Sequence, residues 1–300
     1  MANKLHYIWW GPVPQGALEQ VNEVARECRR HKFEIYFWCK KEHAEEFMSN
    51  LESNILVSGL DLKKGGALYD DLNWVVNVFQ DNKAYSAIKD VLMLFVLKEH
   101  GGVYLDTTTG LIPRELRTKY KAEQFVLGAW SVTLSTKNFQ GFAFPEVGFG
   151  GVRDFYPEIM PWELDASPSQ AQKGVRYTPS VDYWAAWSTQ NNETIKRALD
   201  YYIGLIKKMP KGALNTKHRN SIIGDLITMS VQHAVLPLIT RYANGDSSGK
   251  SDEKAARLLA GFMWPAAVLD GGDFDQYKAN FILPSLGVMK WHKGTWRGGH

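Results

Sequence analysis

The chain has 300 residues, 45% of them hydrophobic and 22% charged, a balance that excludes a disordered, collagen-like or coiled-coil protein. Its 35 basic and 32 acidic residues nearly cancel, which excludes the basic stripe of an electrostatic nucleic-acid binder while permitting a local pocket for a small anion. The 11 tryptophans, beside 13 tyrosines and 14 phenylalanines, leave two readings open: a heavy core, or faces that stack on flat ligands.

In chain order, Leu5 to Trp10 reads as a buried strand, and Gly11 to Pro14 as a loop. Gly16 to Arg30 carries apolar residues at helical spacing. Phe33 to Cys39 is a second strand, Lys40 to Leu51 a charged helix, and Asn54 to Val57 a third strand. Such β-α-β-α-β alternation implies a parallel sheet covered by helices. Leu68 to Gln80 is a mixed helical stretch. Tyr85 to His100 is the strongest helix, with Ile88, Val91, Leu92, Phe95 and Val96 on a broad apolar face. Gly101-Gly102 stops it. Val103 to Leu105 is a short buried strand, and Phe125 to Trp130 and Glu146 to Val152 are further strands. Glu193 to Met209 and Ser221 to Ala243 read as helices, Asn244 to Asp252 as a loop, and another helix follows to Leu259. From Met289 a short strand leads into Gly-rich coil. There is no internal repeat and no domain boundary.

Cys28 and Cys39 cannot build a disulfide framework, so a reducing compartment is expected, with Cys28 buried on a helix. The first residues lack the apolar stretch of a signal peptide, and the longest apolar run, Val91 to Leu97, is too short to span a bilayer. The chain is expected to be cytoplasmic where it is made. Export by a dedicated secretion machine would leave no such mark.

The informative segment runs from Lys89-Asp90 through Gly101-Gly102-Val103-Tyr104-Leu105-Asp106-Thr107-Thr108. A buried helix stops at a glycine pair, and a buried strand then delivers Asp106 at its C-terminal end. In open α/β sheets, ligands bind outside the carboxyl ends of strands. A carboxylate there can hold a hard cation or a ribose hydroxyl. It can equally cap a turn, and spacing alone leaves both open.

Lys98-Glu99-x-Gly-Gly-x-Tyr-Leu-Asp resembles the sugar-binding segment of GT-A-fold glycosyltransferases: the glucosyltransferase domains of large clostridial toxins, the initiating mannosyltransferases and capsular polysaccharide synthesis proteins. Their pattern is a helix with Ser-Asp-x-x-Arg, then Gly-Gly-x-Tyr/Trp-Leu-Asp-x-Asp. Three further segments match in order. His6 to Gly11 is similar to their opening Ile-Trp-x-Gly strand, Asp182 to Leu199 to the segment before their late helix, and His292 to Trp296 to their closing His-x-x-Gly-Ser-Trp.

The resemblance implies one GT-A domain over residues 1–300, with a mostly parallel central sheet flanked by helices and a helical C-terminal portion. A donor-nucleotide half would cover about 1–130, an acceptor half about 131–288 and a lid about 289–300. The implied activity is transfer of a hexose or N-acetylhexosamine from a nucleotide-diphosphate sugar, UDP before GDP, to a protein or saccharide, with retention. A bacterial effector and a polysaccharide-biosynthesis enzyme both fit. Trp9 would stack on the base, Asp90 with Lys89 would bind the donor sugar, and Tyr104 would line the pocket. Asp106 would touch the ribose and the Mn²⁺ or Mg²⁺ shell, with Thr108 beside it. Thr295 and Trp296 would close over the diphosphate from the tail, and His292 would be a metal ligand. Asp182 and Glu146 are acceptor-side candidates, and Trp184, Trp187 and Trp130 would flank the sugar or the acceptor. Trp10, Trp38, Trp74 and Trp264 are left to the core.

The chain departs from the pattern in two places. Thr108 stands where the second acid of Asp-x-Asp belongs, as it does in capsular types. Met93 and Lys89 replace the arginine and serine of Ser-Asp-x-x-Arg. Lys89 projects about 100° from Asp90 on the helix, so it is not expected to substitute for that arginine. These departures motivate a rival reading, a non-catalytic sugar-nucleotide or glycan-binding protein. An oxidoreductase on a Rossmann-like sheet is a lesser one, since Gly11 and Gly16 do not form the dinucleotide fingerprint. Phosphate-loop, zinc and serine-hydrolase motifs are missing from the sequence, and Asp270 to Asp275 is read as a polar turn rather than a calcium loop. Asp106→Ala is expected to abolish turnover with little change in thermal stability.

Overall fold

A computed structural model describes residues 4–12, 18–29, 33–62, 65–120 and 178–216, parts of 219–234, and strands at 138–139, 142–143, 147–156, 263–265, 267–268, 279–283 and 287–291. The opening alternation is observed as read. Strand β1 (Lys4–Ile8) leads to α1 (Glu19–Cys28), β2 (Glu34–Cys39), a 3₁₀ turn at Lys41–His43, α2 (Ala44–Asn50) and β3 (Ile55–Gly59). Then come α3 (Ala67–Asp81), α4 (Tyr85–His100), β4 (Gly102–Leu105), β5 (Thr109–Leu111) and α5 (Arg114–Lys119). Two short strands, β6 (Asn138–Phe139) and β7 (Phe142–Ala143), pair with each other. The remainder is β8 (Val147–Tyr156), β9 (Thr178–Ser188), α6 (Glu193–Lys208), β10 (Met263–Pro265), β11 (Ala267–Val268), β12 (Ala279–Leu283) and β13 (Val288–Trp291).

The central sheet has the order β10-β8-β9-β4-β1-β2-β3. Its β4-β1-β2-β3 half is parallel throughout. Strand β9 pairs antiparallel with both β4 and β8, so it alone runs against the other six strands of this sheet. The chain is therefore an α/β protein with a mostly parallel sheet. Period-two alternation sorts side chains onto the two faces. Leu5, Tyr7, Ile35 and Phe37 pack with Val21, Val24 and Cys28 of α1, whereas Ile8, Trp10 and Trp38 pack toward α3, α4 and α6.

Helix α4 is the centre of the second layer. The sequence gives it a broad apolar face; the structure buries it nearly all round, from Asp90 to Leu97, between the sheet and helices α3 and α6. Gly101 and Gly102 end it with φ of 61° and 96°. A Cβ on Gly101 would stand 2.5 Å from the Gln190 amide nitrogen, and one on Gly102 would stand 2.6 Å from the Lys4 carbonyl oxygen. Only glycine meets both demands. The facing turn is fixed by α6, whose N-cap Asn192 accepts from the Thr194 amide at 2.9 Å.

Some expectations are corrected. Thr178–Ser188 is a long strand, though its sequence was read only as the approach to a helix. Helix recurs within 222–234, but strands β10 to β13 follow, and of these only the last was expected. Trp184 and Trp187 are core residues at 2% and 4% exposure, packed in the α1-side core rather than on an open face. Trp74, assigned to the core, is 43% exposed because it lies on the outer face of α3. Trp10 and Trp38 are buried as expected. Cys28 and Cys39 are both buried thiols, and burial pushes them up to about 12 and about 11. Phe125 to Trp130, Asn244 to Leu259 and Asp270 to Asp275 lie outside the described residues, as do the side chains of Trp130 and Trp264.

Candidate functional site

Asp106 follows β4 directly, at the carboxyl edge of the parallel half of the sheet. Its amide donates to the Trp184 carbonyl at 2.8 Å, and its carbonyl accepts from the Thr109 amide at 2.9 Å, which closes a turn. The carboxylate does not cap that turn. Its Oδ1 accepts from Lys89 Nζ at 2.9 Å and from the Tyr104 hydroxyl at 2.5 Å, and its Oδ2 accepts from Lys290 Nζ. Lys89 Nζ also lies 3.2 Å from Asp90 Oδ1. Two carboxylates thus meet two ammonium groups over a buried phenol.

Three parts of the chain build this cluster. Helix α4 supplies Lys89 and Asp90, and β4 with its exit supplies Tyr104 and Asp106. Lys290 arrives from β13 through a second, antiparallel sheet of order β11-β12-β13-β5. In that sheet Lys290 pairs with Thr109, and the Trp291 amide donates to the Thr108 carbonyl at 2.9 Å. The β5–β13 register therefore carries Lys290 onto a carboxylate 184 residues earlier.

Burial and charge oppose each other here. Desolvation alone would raise the Asp106 carboxyl, but the Lys290 and then the Lys89 ammonium groups outweigh it and hold Asp106 well below the usual carboxylate range. Asp90, 6% exposed, is raised by burial, partly offset by Lys89. Burial would lower Lys89, yet Asp106 and Asp90 together push it well above its ordinary value. Tyr104 is raised by burial and by the Asp106 charge, so it remains a phenol and a donor. The Asp106 side chain keeps 13% of its surface open, Lys89 24% and Lys290 20%, which leaves a rim where a ligand can reach charge.

Of the residues proposed from sequence, Asp90, Lys89, Tyr104 and Asp106 come together. Lys89 reaches Asp90 and Asp106 although it stands one helical step from Asp90. The 100° step applies to the Cα–Cβ directions, whereas a four-carbon stem lets the ammonium reach both carboxylates. Thr108 is close in chain but buried at 7% exposure. Trp9 follows β1 at the same sheet edge; it is half-buried, its indole donates to the Pro12 carbonyl at 2.8 Å, and it rests on the α1-side core. His292, Thr295, Trp296 and Glu146 lie outside the described residues, as does the side chain of Asp182. Lys290 was missed. Its one local signal is a lysine inside the apolar strand Val288-Met289-Lys290-Trp291, which marks a charge that needs a partner.

A resident Mn²⁺ or Mg²⁺ asks for several oxygen ligands. Both Asp106 oxygens are engaged, Asp90 is held by Lys89, and Thr108 offers only a neutral hydroxyl. Among the described residues, no group of three or more His, Cys, Asp or Glu is gathered to hold a metal ion. These residues do not fit a divalent cation. Among them, too, no helix is long and apolar enough to cross a membrane.

Residues 19–120 match the family described as glycosyltransferase sugar-binding region containing DXD motif, so the resemblance read from the sequence holds over the stretch that carries α4, β4 and Asp106. The chain is 27% identical over 137 residues to "Subversion of eukaryotic traffic protein A" of Legionella pneumophila, a match covering 43% of this chain and 20% of that relative's length. Among solved structures, it is similar to the PaToxG glycosyltransferase, with a TM-score of 0.48, 16% identity and coverage of 92% of this chain and 84% of that one. It is also similar to the UDP-bound glycosyltransferase domain of the YGT toxin, with a TM-score of 0.40, 11% identity and coverage of 81% and 77%.

Proposed function

We propose that this chain is a glycosyltransferase that moves a hexose or N-acetylhexosamine from a UDP-sugar to a protein or saccharide acceptor with retention of configuration. One observation carries the reading: the matched sugar-binding region delivers Asp106 and Asp90 to the carboxyl edge of the parallel sheet, on a cluster of charged side chains with an open rim. Trp9, at the same edge, stacks on the base. Asp90, buried and ionisable, accepts hydrogen bonds from sugar hydroxyls. Asp106 and Tyr104 form the floor, and Thr295 with Trp296 closes over the diphosphate.

In the reaction, the bond between the anomeric carbon and the β-phosphate oxygen breaks and its electron pair stays on that oxygen. A bond forms from the anomeric carbon to the acceptor oxygen. The acceptor's proton passes to the leaving phosphate, so no separate general base is required. Stabilising the charge that grows on the leaving oxygen is the main task of the site.

The chain is expected to be made in the cytoplasm. An effector role with a protein acceptor is supported by the Legionella likeness, and a capsular role with a saccharide acceptor by the Asp-x-Thr motif. The test is incubation of the chain with a panel of labelled UDP-sugars, with and without bacterial and eukaryotic lysates, followed by mass spectrometry. Release of free sugar or a labelled acceptor supports the reading. Binding without turnover of any donor would favour a sugar-nucleotide-binding protein instead, and failure to bind either UDP or GDP would remove both.

A further inference from the structure

We propose that Lys290 and Lys89 take the place of a divalent cation: their ammonium groups, anchored on Asp106, receive the donor's diphosphate, so that nucleotide binding needs no metal ion. The inference rests on the glycosyltransferase reading for its ligand, but its observations are independent of it. The Lys290 ammonium sits on Asp106 Oδ2, and the Lys89 ammonium sits on Oδ1 while also touching Asp90. A metal ion entering this cluster would have to displace an ammonium group from the carboxylate and then share the site with it. Like charges at such spacing in a partly buried site repel strongly.

The placement is built into the fold. Lys290 is held by pairing of β13 with β5, the strand that begins three residues after Asp106. Lys89 is fixed by helix α4, which is buried nearly all round. A lysine ammonium presents three donors on a flexible stem, so one can remain on Asp106 while others turn to phosphate oxygens. Asp106 then acts as a positioning residue for the two cations. In the transfer step, the pair of electrons released to the β-phosphate oxygen is met by these ammonium groups, and the products are the glycosylated acceptor and the nucleoside diphosphate carrying the acceptor's proton.

The experiment is a calorimetric titration of the full chain with UDP, in EDTA and in Mn²⁺, alongside an electron paramagnetic resonance titration of Mn²⁺ into the protein. The wild type is expected to bind UDP equally in both buffers and to leave Mn²⁺ free in solution. Lys290→Met is expected to weaken UDP binding in EDTA by about tenfold or more, the loss of one charge-assisted hydrogen bond, with Lys290→Arg retaining most of it. In Lys290→Met, Asp106 Oδ2 is released, so Mn²⁺ is expected to bind and to recover part of the affinity. Wild-type binding that requires Mn²⁺, or Mn²⁺ bound by the wild type, overturns the lysine proposal and leaves the glycosyltransferase reading standing. No UDP binding in either buffer overturns the reading of the donor as a UDP-sugar, and the assignment of these lysines to its diphosphate goes with it. The wild-type comparison decides the matter even if Lys290→Met does not fold.

Discussion

Strand β4 is only four residues long, yet its two ends handle buried polarity in opposite ways. At its start the ring of His6, from the neighbouring strand β1, is fully buried and neutral. Its Nε2–H donates to the Gly101 carbonyl at 2.7 Å, its Nδ1 accepts from the Trp38 indole at 3.1 Å, and burial lowers it to about 3. The Trp38 donor fixes the tautomer, and both ring nitrogens are satisfied without charge. After its end, Asp106 and Asp90 are satisfied by two lysines, with charge retained and a rim left open. A closed neutral cluster serves as a joint between strands; an open charged cluster stores capacity to meet a ligand. The contrast predicts that damage at the start of β4 is read in stability, and damage at its end in both stability and binding.

The sharpest test is Asp106→Ala. Turnover of a UDP-sugar should fall by about a thousandfold, of the order seen when a key electrostatic group is removed. Its three partners also change the stability expectation drawn from sequence. Removing the carboxylate takes an acceptor from both ammonium groups and from the buried phenol at once, so the unfolding free energy should drop by about 3–5 kcal/mol. Denaturant unfolding with wild-type and mutant side by side measures it. An unchanged midpoint would mean that the lysines do not depend on Asp106. Asp106→Asn, which keeps the shape, should separate the activity loss from the folding loss.

Next in size is Gly101→Ala at the other end. A positive φ and a Cβ 2.5 Å from the Gln190 amide nitrogen together should destabilise the protein by about 2–4 kcal/mol. UDP binding by the folded fraction should be unaffected, because the charged cluster lies past the opposite end of the strand. A loss of affinity in the folded protein would break the division of labour between the two ends.

The same contrast explains what the sequence could say. Elements β1 to β3 and α4 with β4 were legible because their periods are local: alternate residues of Leu5 to Ile8 and Ile35 to Trp38 face different layers, and α4 stops at a glycine pair. Asp106 and Asp90 were legible because they fall on a helix and strand that the motif defines. Lys290 was not, because what places it is a β5–β13 register joining segments far apart in the chain. The bridge that Lys89 makes between Asp90 and Asp106 was not legible either, because a helical wheel tracks Cβ directions and ignores the reach of a long stem. The direction of β9 was equally hidden, since strand orientation is decided by the partners β4 and β8 rather than by its own residues.

A smaller effect follows from His6 and pH. Its folded value lies near 3, below the ordinary 6.5, so the native state binds fewer protons than the unfolded chain between those values. The stability it contributes is present above pH 6.5 and is lost as pH falls below it, by about 1.4 kcal/mol per pH unit. Asp225 works the other way, since burial raises it to about 6 and the folded protein gains stability as that carboxyl is protonated. The wild-type profile is therefore flattened, and the difference from His6→Gln is the informative quantity. Glutamine can donate to Gly101 and accept from Trp38 but does not titrate. That difference should shrink steadily from pH 6.5 to 5 in chemical denaturation, and a constant difference would show that His6 is not held neutral.

The smallest expected effect is Tyr104→Phe, and it probes whether the charged end depends on its phenol or only on its lysines. The hydroxyl is a buried donor to Asp106 Oδ1 at 2.5 Å, and burial together with the Asp106 charge keeps it protonated. Removing it deletes one hydrogen bond to a carboxylate that retains both ammonium partners, so the loss should lie near the lower end for a charged acceptor, about 1–1.5 kcal/mol in denaturant unfolding. UDP affinity should change by less than about threefold, because the two cations that face the rim stay in place. A larger loss of affinity with the same small change in stability would move Tyr104 from the floor of the site to a direct ligand contact, and the charged end of β4 would then have to be described as a phenol-and-lysine surface rather than a lysine pair on a carboxylate.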